Sequence, residues 1–145
     1  MDAVIIYETL TGNTEQAARL VATELYRYSV DCRIYKIDAV DEEQVAKADL
    51  VLVGSWTDGV IIAGQRPGRA GKFKHLLPDL TGKRCVTFCT YAVNPGKTVD
   101  KLGKVVGEHG GEVLGGFAMH RKHLKEQAAD FVERTMAAVR EGAST

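Results

Sequence analysis

The chain has 145 residues, 45% of them hydrophobic and 26% charged, with a formal net charge of zero. That length favours one domain, residues 1–145, around a single sizeable core. No apolar run approaches the roughly 20 residues that span a bilayer, which argues against membrane insertion. Charge is unevenly spread: −6 over residues 1–63, +8 over 64–125 and −2 over 126–145. The basic residues are not interleaved with aromatics, so the pattern does not suit a nucleic-acid binder. Cys32, Cys85 and Cys89 form an odd set without framework spacing, and no basic n-region followed by an apolar h-region opens the chain. Both features lead us to expect a cytoplasmic protein with reduced thiols and no signal peptide.

In chain order, the first apolar run is 3–7, "AVIIY". A helix follows over 14–28, with Ala17, Val21, Leu25 and Tyr28 on one stripe. The second strand, 32–37, alternates less cleanly and fits a sheet edge. A short helix at 41–48 precedes a third strand at 49–54, "DLVLVG". Another short helix is expected at 69–77, ending before Pro78. The fourth strand is 84–89, the next helix 98–109, the last strand 112–118 and the last helix 122–141. The first, third and fourth strands are near-continuous apolar runs, as central strands covered on both faces require. The Gly-rich 103–116 stretch reads as a helix end, a turn and close packing around the last strand. This β-α alternation predicts an α/β fold: a doubly wound parallel sheet of five strands with helices on both faces. Ligands of such sheets sit beyond the carboxyl ends of the strands. The connections to inspect are therefore 8–14, 55–68, 90–97 and 119–123.

The first of these is Thr9-Leu10-Thr11-Gly12-Asn13-Thr14. A helix N-terminus carries unsatisfied N–H groups and a partial positive charge, and it binds anions without a cationic side chain. Amides of residues 10–14, the hydroxyls of Thr9, Thr11 and Thr14, and the Asn13 amide make a neutral cradle for a phosphate. Gly12 lets the backbone turn closely. The loop has no lysine, which suits a phosphate that is held and not transferred. The plainer alternative is a strand–turn–helix in which Thr11 or Asn13 is the N-cap.

These residues are where the chain resembles the flavodoxin family. The family's phosphate loop for flavin mononucleotide (FMN), [Ser/Thr]-x-Thr-Gly-Asn-Thr between first strand and first helix, is matched at Thr9, Thr11, Gly12, Asn13 and Thr14. The five-unit alternation covers the whole chain and leaves no room for the insertion of long-chain members, so the resemblance is to the short-chain kind. It implies a flavodoxin-like sheet of order 2-1-3-4-5. It also implies that the loops after the third and fourth strands flank the flavin. Trp56, within Ser55-Trp56-Thr57-Asp58-Gly59, and Tyr91, within Cys89-Thr90-Tyr91, match the stacking aromatics by position; Gly96 lies further along the second loop. A core or surface aromatic is the alternative for each.

Two departures stand out. The family usually has Gly after the tryptophan; here it is Thr57, and Asp58–Gly59 is the first peptide able to turn over cheaply. Family members are usually acidic around the flavin, whereas this chain continues with Val60, Ile61 and Ile62 and then Arg66, Arg69, Lys72 and Lys74. Reversing a charge about 8 Å away at an effective dielectric near 20 is worth roughly 4 kcal/mol, less in salt, so a basic loop would favour the reduced anionic cofactor. A solvated loop with its charges turned away is the other reading.

"GQRPGRAGK" is not a P-loop: six residues, not four, separate Gly64 from Gly71-Lys72, and Phe73 replaces Ser/Thr. Cys85 and Cys89 have no nearby His pattern, so a metal is not expected. His120-Arg121-Lys122-His123 reads as a surface cluster at a helix entry, with an anion-binding group at the active edge as the alternative. The expected function is electron shuttling by bound FMN between redox partner proteins, a reductase and an acceptor, as a monomer, with no catalytic side chain. The alternative is an FMN oxidoreductase of the same fold acting on a quinone or a tetrapyrrole precursor. A domain that has lost flavin and serves as an interaction module is a third reading.

Overall fold

A computed structural model describes residues 1–58, 66–67 and 70–143. Its strands are β1 (Asp2–Tyr7), β2 (Asp31–Lys36), β3 (Leu50–Asp58), the two-residue β4 (Arg66–Pro67), β5 (Arg84–Tyr91) and β6 (Glu112–His120). Its helices are α1 (Asn13–Tyr26), α2 (Glu42–Lys47), α3 (Ala70–Leu76), α4 (Thr98–Glu108) and α5 (Leu124–Ala143). The strand order is β2-β1-β3-β5-β6, with β4 pairing antiparallel to the end of β3. Setting β4 aside, this is the expected five-stranded parallel order 2-1-3-4-5.

Side chains alternate across the sheet and feed two cores. Ala3, Ile5, Tyr7, Leu50, Leu52, Val86 and Phe88 face α1 and α5, meeting Ala17, Val21, Leu25, Phe131 and Val132. Val4, Ile6, Val51, Val53 and Cys85 face the other way, against Val45 of α2, Phe73 of α3, and Leu102 and Val106 of α4. Covering on both faces is why β1 and β3 read as continuous apolar runs. Gly54 and Phe88 are register partners on the first face, and the Phe88 ring fills the space a side chain at Gly54 would take.

Several boundaries differ from expectation. β3 and β5 run past 54 and 89 because the backbone ladder continues under polar side chains, pairing Trp56 with Thr90 and Tyr91 with His120. Helix α1 stops at Tyr26, where i→i+3 bonds from Tyr28 and Ser29 tighten the chain. Tyr28 is therefore 40% exposed, and buried Val30 closes that end of the core in its place. Helix α5 starts at Leu124, two residues late, since His123 N–H turns back to His120 O at 2.9 Å.

Candidate functional site

Strand β1 hands over to α1 through a loop pinned at both ends. Glu8 N–H donates to Gly54 O at 3.1 Å, holding the loop's start against β3. The Glu8 carboxylate is 1% exposed; it accepts from Thr9 N–H at 3.1 Å and from Lys72 Nζ at 3.1 Å. Lys72 also lies 3.7 Å from Asp38. One cation of the basic segment is thus held by two carboxylates. Thr9 Oγ1 accepts from Gly12 N–H at 3.0 Å, and Asn13 Nδ2 donates to Thr11 Oγ1 at 3.2 Å, so the loop is organised by its own side chains.

The N-cap of α1 is Gly12, with φ 93° and no side chain to accept from the helix. Neither Thr11 nor Asn13 holds that position, contrary to the cap expected of a plain strand–turn–helix. The first helical N–H to find a main-chain acceptor is Gln16, to Gly12 O at 2.9 Å. The N–H groups of Asn13, Thr14 and Glu15 precede it and carry the helix's partial positive charge. A Cβ at Gly12 would meet nothing within 4 Å, so the backbone angle, not crowding, requires the glycine.

The ends of β3 and β5 complete the site. Buried Thr14 and Thr90 share a hydroxyl–hydroxyl hydrogen bond of 2.9 Å, joining the first turn of α1 to the end of β5. One open cleft is lined by Thr9, Leu10, Thr11, Asn13 and Thr14 on the loop side. Trp56 and Thr57 of β3, Thr90 and Tyr91 of β5, with Ala92 and Arg121, line the rest. Tyr91 meets His120 in a T-shaped pair, ring centres 5.1 Å apart.

Other expected residues lie elsewhere. Ser55 and Cys89 are fully buried and do not line the cleft. Thr57 Oγ1 approaches Cys89 Sγ at 3.6 Å, and burial pushes that thiol up to about 11. Asp58 ends β3, paired through its backbone with Arg66. Gly59, with Val60, Ile61, Ile62 and Arg69, falls outside the described residues. Gly96 sits off the cleft in a turn, φ 54°, donating to Asn94 Oδ1 at 2.8 Å. Two further residues line the cleft: Ala92, which the sequence did not single out, and Arg121, for which anion binding at the active edge was only the alternative reading. Arg121 stands in the 119–123 connection at the ligand edge, which was the available signal; its basic neighbours made it look like a surface cluster.

Among the described residues no acidic, His or Cys group is arranged to hold a metal ion, and no helix is long and apolar enough to cross a membrane. A family model of the flavodoxin domain matches residues 4–138. Oxidised flavodoxin 1 from Bacillus cereus is similar in structure, with a TM-score of 0.74 and 22% identity over 97% of this chain and 98% of that one. Two-electron reduced flavodoxin from Megasphaera elsdenii gives 0.68 and 24%, over 88% and 98%. Rubredoxin oxygen:oxidoreductase from Desulfovibrio gigas gives 0.64 and 19%, over 95% of this chain but 37% of that one. No curated protein sequence matches. The solved structures speak to the fold; the family match, running from β1 into α5, speaks to kinship, and by it the chain belongs to the flavodoxin family of FMN-binding electron-transfer proteins.

Proposed function

We propose that this flavodoxin carries electrons between two protein partners, a reductase and an acceptor, with FMN held by its phosphate in the β1–α1 loop. The observation that carries the reading is the start of α1: a glycine N-cap leaves the first helical N–H groups without a side-chain cap beside a cleft lined by Thr9, Thr11, Asn13 and Thr14. That donor set fits a phosphate monoester. Thr9, Leu10, Thr11, Gly12, Asn13 and Thr14 would hold it, with the Thr14–Thr90 bond fixing the loop against β5. Trp56 and Tyr91 would offer aromatic faces to the flavin ring, each stacking pair worth on the order of 1 kcal/mol beyond buried area.

When bound, FMN supplies the redox chemistry. The chain's residues bind and orient it; no acid, base or nucleophile is asked of them. In the enzyme alternative the basic, apolar 60–75 segment would form part of a substrate mouth. The Lys72 ammonium of that segment is engaged by Glu8 and Asp38, which favours the carrier.

Stepwise anaerobic photoreduction of the FMN-loaded protein tests this. Two resolved one-electron steps are expected, with electrons passing on to a protein acceptor. Reduction in one two-electron step, with turnover of a quinone or a tetrapyrrole precursor, would overturn the carrier in favour of the oxidoreductase.

A further inference from the structure

We propose that Arg121 is a cofactor-binding residue, its guanidinium supplying the phosphate of FMN with the positive charge that the β1–α1 loop lacks. The inference rests on the reading of that loop as the phosphate site. Its starting point is that Arg121 is the only charged residue among the described residues lining the cleft.

The fold brings the two segments together. Helices α1 and α5 lie on the same face of the sheet and pack against each other. Their N-termini both start from the carboxyl edge, so the β6–α5 turn stands beside the β1–α1 loop. Two short links fix its position. Arg121 N–H donates to Tyr91 O at 2.9 Å, and the neighbouring Thr90 hydroxyl is 2.9 Å from that of Thr14 in the first turn of α1. The Arg121 backbone is therefore tied to the strand end that itself grips the loop.

Its side chain is left for a ligand. The Arg121 side chain has no hydrogen bond or ion pair with any described residue. Among the described residues no carboxylate lies within ion-pair distance of the Arg121 guanidinium. A planar fork of donors suits a phosphate oxygen pair, and charge-assisted bonds of this kind are the strong ones. The N–H groups of α1 supply directional donors without net charge; Arg121, lining the same cleft, supplies the charge.

The test is titration of the apoprotein with FMN and with riboflavin, read by flavin fluorescence, in wild type, Arg121→Gln and Arg121→Lys. Arg121 is exposed and keeps its main-chain bond, so the variants fold. Arg121→Gln is expected to weaken FMN about 10- to 100-fold, the range for one hydrogen bond to a charged group, with riboflavin changed less than about twofold. FMN affinity should also become less dependent on salt, and Arg121→Lys should recover part of the loss. An FMN loss below about twofold, or an equal loss of both ligands, would overturn the inference; the equal loss would put Arg121 against the flavin ring. The variant Thr11→Ala with Asn13→Ala is run in parallel. If it loses FMN selectively while Arg121→Gln does not, the loop reading stands and the role of Arg121 falls. If the loop variant does not discriminate, the loop reading itself falls.

Discussion

Gly54→Ala tests whether the packing at the end of β3 is as tight as the structure requires. A Cβ at Gly54 would sit inside van der Waals contact with three ring carbons of Phe88, its register partner on β5. Neither side can give easily. Phe88 is fully buried and packs on Phe131 with ring centres 5.7 Å apart. The Gly54 backbone is paired to Tyr7 on one side and Phe88 on the other, and its carbonyl accepts from Glu8 N–H. Overpacking in a core costs about 1–3 kcal/mol, and a strand held on both edges belongs at the upper end, about 3 kcal/mol. For a domain of this size that lowers the melting temperature by about 10 °C. Urea unfolding of the apoprotein measures it directly, as a lower midpoint at unchanged m-value. Adding Phe88→Leu removes the clashing ring carbons, so the double variant should be about 1–2 kcal/mol more stable than additivity allows. A Gly54→Ala cost below about 0.5 kcal/mol, or strict additivity with Phe88→Leu, would refute the reasoning.

The thiols give further predictions. Burial pushes Cys32 and Cys85 up to about 12 and Cys89 to about 11. At pH 8 a thiol near 11 is about one part in a thousand thiolate, so a thiol reagent should label native protein very slowly and all three cysteines in urea. The stability consequence has a definite sign. A thiol raised in the folded state contributes stability in full below its ordinary value near 9, and loses it as pH rises toward the folded value. The free energy of unfolding is thus expected to fall steadily above pH 9. Tyr7, raised to about 12 first by burial and then by Glu15, adds to the fall above pH 10. A flat urea midpoint between pH 8 and pH 11 would contradict this.

Much of the fold was legible because the two coverings of the sheet leave apolar runs at 3–7, 49–54 and 84–89 and a clean stripe in the last helix. Strand ends were less legible. Trp56, Thr57 and Thr90 are held in strands by backbone pairing, to which composition is blind, so they read as loop. Tyr28 lay on the helical stripe, yet the i→i+3 bonds at 28 and 29 gave the buried place to Val30. At the site, the threonine-rich loop stood out because its position and its residue types pointed the same way. Arg121 did not, because its place in the cleft depends on α5 packing beside α1, a contact between distant segments. The partnership of Lys72 with Glu8 was hidden for the same reason: 64 residues separate them, and a buried acid at a strand end has no pattern of its own.

The central claim is that the β1–α1 loop holds FMN by its phosphate. The most direct measurement is the ratio of FMN to riboflavin affinity of the apoprotein, in wild type and in Thr11→Ala with Asn13→Ala. Two or more hydrogen bonds to a charged phosphate predict FMN tighter by about 100-fold or more in wild type, with most of that ratio lost in the variant. Equal affinities for the two ligands in wild type, or a ratio the variant leaves untouched, would contradict it.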